Sequence, residues 1–405
     1  MKCMEDTNFE QQELFRQEKY ISDLVEQKTP KNKSSLNTIF GSSILTSMIV
    51  LSFLYVYGIF DKDEITIPDP ITITETVTEK EVIMPRVDST EIVSIAEIAT
   101  KTIVQIQVGQ VNENDEFISV GGGSGVVISA EGLIITNHHV IDDANSVRVI
   151  FEDGRMYKAE IIGSDQLTDI GLVKIESSSL TPIVIGNSDI LLVGDLAVAI
   201  GHPLTLGAAP TVTTGIVSAL ERRLDVGGQD MNSSVTLFGL IQTDAPITRG
   251  SSGGALLNQR GELIGITTAI ATADVGAEGL GFAVPINLAL NISQDLLDDG
   301  KVYHSFLGIL GAQHFEVADD GARIFSGVEI QELYGPANDI YAIGKAGALP
   351  GDIIKKVNDK NIKTLDGLIT LLRSKKAGDE ITIEITRNGQ VILLQFLLDL
   401  RPSDV

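Results

Sequence analysis

Gln242-Thr243-Asp244-Ala245-Pro246-Ile247-Thr248-Arg249-Gly250-Ser251-Ser252-Gly253-Gly254-Ala255-Leu256 places serine among small residues, in a loop that feeds an apolar strand. An acyl-transfer nucleophile needs this setting. Its hydroxyl must reach a carbonyl, and neighbouring backbone N–H groups must be able to point at the oxyanion that develops. Glycine allows the dihedrals that leave such amides unpaired and keeps bulk away from the reacting atoms. Gly-Ser runs are also ordinary turns, so the reading depends on what lies upstream.

Two upstream stretches supply the missing groups. Thr136-Asn137-His138-His139-Val140 ends a strand, and Thr168-Asp169-Ile170-Gly171-Leu172-Val173-Lys174-Ile175 carries a carboxylate into an apolar one, where it is costly to bury without a partner. A serine hydroxyl attacks poorly until histidine takes its proton, and the histidine needs an acid to fix its tautomer and stabilise its imidazolium. Alone, each is a core-edge histidine, a turn aspartate or a flexible serine loop. Together they run His…Asp…Ser with separations of 169 − 139 = 30 and 252 − 169 = 83, the order found on chymotrypsin-type double β-barrels. At this level His138 competes with His139, and Ser251 with Ser252.

The surrounding chain fits a barrel. Strand-length apolar runs separated by Gly, Asn and Asp occur at Thr102–Val108, Gly125–Ser129, Leu133–Thr136, Val147–Phe151, Ile170–Ile175 and Leu196–Ile200. They continue at Thr211–Ala219, Leu240–Thr243, Ala255–Leu257, Leu263–Thr268 and Gly281–Val284. Such spacing predicts an antiparallel barrel or sandwich, not βαβ units. Gly121-Gly122-Gly123-Ser124-Gly125 opens a strand and no helix, so it does not read as a dinucleotide fingerprint. A short helix is expected over Glu91–Lys101 and an amphipathic closing helix over Ile286–Leu297. Asp298-Asp299-Gly300 marks a boundary. His304–Val405 then forms a second small domain of short strands, a Pro350-Gly351-Asp352 turn and a helix near Leu365–Ser374.

Composition narrows the function. The 405 residues suffice for two or three domains. A formal charge of −25 opposes nucleic-acid binding. The single cysteine, Cys3, excludes an internal disulfide framework and a cysteine-based zinc site, and five histidines leave little for a metal centre. Neither a metal nor a cofactor is expected.

Residues 1–37 are polar and read as a cytoplasmic tail, with a possible short helix around Glu10–Glu26. Thr38–Phe60 is free of charge and long enough to cross a bilayer. Lys28, Lys31 and Lys33 precede it while Asp61, Asp63 and Glu64 follow, so the positive-inside rule places the N-terminus in the cytoplasm and the remainder outside. Residues 61–90, rich in Thr, Ile and Pro, read as an extended linker.

From about Ser94 to Leu400 the chain resembles the HtrA family of trypsin-like serine proteases followed by a PDZ domain. The likeness rests on Gly123-Ser124-Gly125-Val126-Val127-Ile128, Thr136-Asn137-His138-His139-Val140-Ile141 and Thr168-Asp169-Ile170-Gly171-Leu172-Val173. It continues through Ala199-Ile200-Gly201-His202-Pro203, Thr213-Thr214-Gly215-Ile216-Val217-Ser218-Ala219, Gly250-Ser251-Ser252-Gly253-Gly254-Ala255 and Gly281-Phe282-Ala283-Val284-Pro285. One membrane span, one PDZ domain and a short loop expected at Gly109–Val120 make it most similar to the membrane-anchored DegS branch.

The resemblance implies a mainly β chain: a chymotrypsin-like double β-barrel over 91–300 and a PDZ domain over 301–405, preceded by a transmembrane helix at 38–60. It assigns His139 as base, Asp169 as its acid and Ser252 as nucleophile, with Gly250 and Ser252 N–H groups forming the oxyanion hole. Ile247, Ile270 and Ala271 would line the specificity pocket. Pro246 stands where a carboxylate would read Lys or Arg, so a small or medium apolar residue is expected before the cut. Asp244 is read as structural. Ser251 and Thr248 stand where the family usually has Asn.

Phe306, Leu307, Gly308 and Ile309 would capture the C-termini of peptides, and Leu224–Ser233 and Ala271–Glu278 would relay that event to the protease. The implied protein is a homotrimer in the bacterial inner membrane with periplasmic protease and PDZ domains. Its partners would be an anti-sigma-like regulator or misfolded envelope proteins. A general quality-control protease with chaperone activity and a non-catalytic PDZ scaffold are the rival readings.

Overall fold

In the computed structural model the chain divides into two units, Met1–Val82 and Ile83–Val405. The structure describes residues 89–112, 116–202, 209–226, 235–268, 280–335 and 340–402, all within the second unit. The tail, the 38–60 span and the linker up to residue 88 lie outside the described residues. Among the described residues no helix is long and apolar enough to cross a membrane.

Helix α1 (Ser89–Ala99) tightens into a 3-10 turn at Thr100–Thr102 and leads into the first closed barrel. That barrel contains β1 (Ile103–Val111), β2 (Phe117–Val127), β3 (Leu133–Thr136), β4 (Ser146–Ile150), β5 (Met156–Asp165) and β6 (Ile170–Ile175), in the order β1-β2-β3-β6-β5-β4. The four-residue helix α2 (His138–Ile141) follows β3. The second barrel holds β7 (Leu196–Gly201), β8 (Thr211–Val226), β9 (Val235–Thr243), β10 (Ala255–Leu257), β11 (Leu263–Thr268) and β12 (Gly281–Pro285), in the order β10-β11-β12-β9-β8-β7. Closure leaves neither sheet with a free edge.

Helix α3 (Ile286–Asp299) begins after Pro285 and ends on Gly300, whose φ of 70° and N–H bond to Leu296 O form a left-handed cap. Its buried face, Ile286, Ala289, Ile292 and Leu296, joins Ile95 and Ala99 of α1. Ile103, Ile135 and Leu172 of one barrel and Val198, Leu257 and Ile266 of the other complete the same core. The two barrels therefore share a core, while each also has its own interior.

Beyond Gly300 lie β13 (Ser305–Phe306), β14 (Ile309–Val317), β15 (Arg323–Leu333), helix α4 (Ala342–Lys345), β16 (Ile353–Val357) and β17 (Lys360–Asn361). Helix α5 (Leu365–Arg373), β18 (Glu380–Arg387), β19 (Gln390–Leu397) and β20 (Asp399–Leu400) follow. The main sheet runs β14-β15-β16-β18-β19, which leaves β14 at an edge. This part has a separate core that includes Leu307, Val328, Ile354, Leu368 and Ile383.

One expectation is overturned. Gly109–Val111 and Phe117–Val120 are strand, not loop: Gly109 pairs with Ser119, Gln110 with Ile118 and Val111 with Phe117, so β1 and β2 stay paired past a register shift at Val108/Gly109. These positions are largely exposed, and without burial on one face the apolar alternation that signals a strand is lost. For the same reason β5 carries no strand signal in the sequence, its Glu160 and Ile161 both facing solvent beside buried Ala159.

Candidate active site

Strand β3 ends at Thr136, and Asn137 turns the chain so that α2 presents both histidines. They face different partners. His138 Nδ1 lies 2.8 Å from Ser164 Oγ, and its Nε2 lies 3.7 Å from Asp142. His139 Nδ1 lies 2.9 Å from each carboxylate oxygen of Asp169, and its main-chain N–H donates to Oδ1 at 3.1 Å. A carboxylate only accepts, so this contact fixes the Nδ1–H tautomer and leaves Nε2 as a base. The His139 side chain is 43% exposed and that of Asp169 9%.

Asp169 has a φ of 57°, an unusual region for a residue with a side chain. Four donors besides the imidazole hold it. Asn137 Nδ2 (2.9 Å) and His138 N (3.2 Å) donate to its carbonyl, while Thr268 Oγ1 (2.7 Å) and His139 N donate to its carboxylate. The left-handed turn releases the carboxylate from β6 toward His139 rather than into the barrel interior with Ile170.

The nucleophile loop reaches the same seam from the second barrel. Ser252 O accepts from Ser124 N at 2.7 Å, and Gly253 N donates to Thr267 O at 2.8 Å. Gly253 is left-handed, with φ 81°, and an added Cβ would lie 2.2 Å from Ser124 O and 2.4 Å from Thr136 Oγ1. Only glycine lets this backbone lie against the end of the histidine strand. Gly250 is also left-handed, with φ 93°, and its carbonyl accepts from Ser124 Oγ. Ser252 is 6% exposed and Ser251 9%, so the serine is more enclosed than an open loop would leave it.

Of the predicted specificity residues, Ile247 packs against the second barrel's core, where a Cβ on Gly281 would collide with it. Ile270 and Ala271 lie outside the described residues, as does the 271–278 relay loop, whereas Leu224–Val226 completes β8. Asp244 Oδ1 accepts from Ile216 N at 2.7 Å, a structural contact.

A second site lies in the C-terminal part. Phe306 ends β13, Leu307 is buried and Ile309 opens edge strand β14. Gly308 between them has a φ of 74°, and a Cβ there would lie 2.5 Å from the Tyr341 ring. A cleft of about 530 Å³ runs between this segment and α5, lined by Leu365, Leu368, Ile369 and Leu372. Leu167, Val235, Thr236 and Phe238 of the barrel part also line it, as does Arg373.

The two parts meet through buried and half-buried polar groups. His304 Nε2 lies 2.7 Å from Asp165 Oδ1. Burial opposes the charge on Asp165, but the hydrogen bond and charge of His304, with the two donors of Thr168, hold its carboxyl below the usual range. Arg373, at the end of α5, donates to Leu167 O and, at 3.2 Å, to Thr236 O, with its guanidinium 4.9 Å from the Phe238 ring. Burial, followed by the charge of Arg401, pulls Arg373 down to about 10, with Asp165 opposing; it remains cationic at neutral pH. Asp165 and Leu167 belong to the turn that delivers Asp169. Sequence reading missed this clamp, as it missed Asn137, Ser124 and Thr268. Their one signal was a hydroxyl or amide embedded in an otherwise apolar or glycine-rich strand.

Residues 123–266 match the family described as Trypsin-like peptidase domain, and residues 308–398 match the PDZ domain. The solved structure titled "HtrA-type protease AlgW with tripeptide" is similar over 77% of this chain and 98% of its own, at 32% identity and a TM-score of 0.62. The chain belongs to the HtrA family of proteases. This HtrA chain is 41% identical to the periplasmic pH-dependent serine endoprotease DegQ of Escherichia coli K12, over 70% of its length and 60% of DegQ. It is 43% identical to a probable periplasmic serine protease, do/HhoA-like, of Haemophilus influenzae, over 67% of its length and 56% of that relative. It thus spans less than two thirds of these curated relatives.

Proposed function

We propose that this HtrA chain is a periplasmic serine endopeptidase whose triad is Ser252, His139 and Asp169. The observation that carries the reading is the pairing of His139 with a left-handed Asp169, on the seam where Gly253 packs against the histidine strand. Ser252 Oγ would attack the scissile carbonyl while His139 Nε2 takes its proton. Asp169 would stabilise the imidazolium, and the N–H groups of Gly250 and Ser252 would receive the oxyanion. His139 then protonates the leaving amine, and water attacking the acyl-enzyme restores Ser252. With Pro246 at the pocket base and Ile247, Ile270 and Ala271 around it, cleavage is expected after a small or medium apolar residue.

The protease domain is proposed to occupy 91–300 and the PDZ domain 301–405. A peptide C-terminus would bind at Phe306–Ile309 and add as a strand to β14, a use of an open edge in keeping with its position in the sheet. Arg373 supports coupling to catalysis, since it borders the peptide cleft and also binds the turn before Asp169. We further infer a single-pass inner-membrane anchor at 38–60, a homotrimer, and a regulatory, anti-sigma-like or misfolded envelope substrate, as in the DegS branch.

Full-length protein treated with a fluorophosphonate probe, in the presence of a peptide ending in valine, tests the catalytic reading. Labelling that Ser252→Ala abolishes is expected; an unlabelled wild type would leave only a binding scaffold. A single cut in one partner, against broad digestion of unfolded proteins, separates regulator from general quality-control protease.

A further inference from the structure

Three consecutive carbonyls of the nucleophile loop are tied down. Gly250 O accepts from Ser124 Oγ at 2.7 Å. Ser251 O accepts from Thr267 Oγ1 at 2.6 Å and Gly254 N at 2.9 Å. Ser252 O accepts from Ser124 N at 2.7 Å. A trans peptide holds each C=O opposite the following N–H. Fixing Ser251 C=O therefore aims Ser252 N–H the other way, and fixing Gly250 C=O turns Ser251 N–H toward Thr248 O, 3.0 Å away.

The two hydroxyls are enclosed: Ser124 is 0% exposed and Thr267 1%. Ser124 is used at every polar atom. Its hydroxyl also accepts from His202 N at 2.7 Å, and its carbonyl accepts from Thr136 Oγ1 at 2.7 Å. One residue thereby joins the first barrel, the end of β7, the histidine strand and the nucleophile loop. Thr267 lies in β11, all six residues of which are buried, where its hydroxyl would be costly without this carbonyl.

We propose that Ser124 and Thr267 are positioning residues for the oxyanion loop. Their hydroxyls lock successive peptide planes so that Ser252 N–H is set for the tetrahedral intermediate before substrate arrives. Neither hydroxyl touches the reacting atoms. The inference rests on the catalytic reading above.

The test measures the rate and final extent of fluorophosphonate labelling in full-length wild type, Ser124→Ala, Thr267→Ala and Thr267→Ser, with a valine-ended peptide present. Phosphonylation also builds charge on an oxygen held in the oxyanion hole. Ser124→Ala and Thr267→Ala are expected to label roughly 10–100-fold more slowly, less than or comparable to losing a direct donor. They should reach the wild-type extent with the same acid-limb midpoint, because His139 and Asp169 are untouched. Thr267→Ser keeps the hydroxyl and should recover most of the rate.

Wild-type rates in both alanine variants would overturn the inference. So would equal losses in Thr267→Ala and Thr267→Ser, or a final extent that falls in step with the unfolded fraction. An unlabelled wild type overturns the catalytic reading itself, a result no variant is needed to recognise.

Discussion

Asp169 shows how much depends on one unusual backbone dihedral. Its carboxylate faces the imidazole because the chain turns left-handed there, a conformation held by Asn137 and His138 on the carbonyl and by Thr268 on the carboxylate. Asp169→Asn would retain most of this shape but present an amide to Nδ1, favouring the tautomer that cannot act as base. A loss of roughly 10⁴-fold in turnover is expected, with little change in melting temperature, read by peptide hydrolysis beside a thermal melt. The proposed triad comes from the order of His139, Asp169 and Ser252 within short motifs, and the structure brings His139 and Asp169 together. The family resemblance chose His139 over His138; each has a carboxylate within reach, and the one beside His139 also accepts from Thr268 Oγ1 and His139 N. Asn137, Ser124 and Thr268 were illegible because a buried polar residue declares its purpose only through its partner, and those partners lie up to 126 residues away.

Among the elements, strands buried on both faces were the easiest to place: Ile170–Ile175 and Leu263–Thr268 match their sequence runs residue for residue. Gly109–Val111, Phe117–Val120 and β5 carry no strand signal in the sequence because exposed strands lack apolar alternation. Helix α5 stops one residue earlier than expected, at Arg373, and that terminal arginine proves to be its most consequential residue. The short connection between β13 and β14 depends on Gly308. Gly308→Ala would place a methyl 2.5 Å from the Tyr341 ring at a φ of 74°. A cost of about 1–3 kcal/mol to this part of the chain is expected. Because its core is separate from that of the barrels, a urea titration followed by hydrogen exchange should show early opening of β14 and β15 while the barrel strands keep their protection. Peptide affinity should fall in the same variant.

At the scale of the whole molecule, the contact between Asp165 and His304 is expected to link stability to pH. Asp165 titrates below its ordinary 3.8 in the folded chain, so the unfolded chain takes up that proton more readily. Stability from this group is complete above about pH 5, rises with pH through the window beneath, and disappears as pH falls through the folded value. Asp165→Asn should flatten the dependence of melting temperature on pH below about pH 5. At neutral pH it should cost about 1–3 kcal/mol, since the half-buried His304 imidazole loses its charged partner. An unchanged acid limb in that variant would mean that the contact carries no pH-linked stability. None of this could be read from sequence, where Asp165 and His304 are separated by 139 residues.

The hydroxyl of Ser124 has a further consequence in time rather than in space. During synthesis, at about 5–20 residues per second, β2 appears long before the Gly250 carbonyl it will hold, and β11 is made only after the nucleophile itself. The loop acquires its shape when the second barrel closes against the first. A nascent chain therefore carries His139 and Asp169 for several seconds before the loop around Ser252 can take its shape.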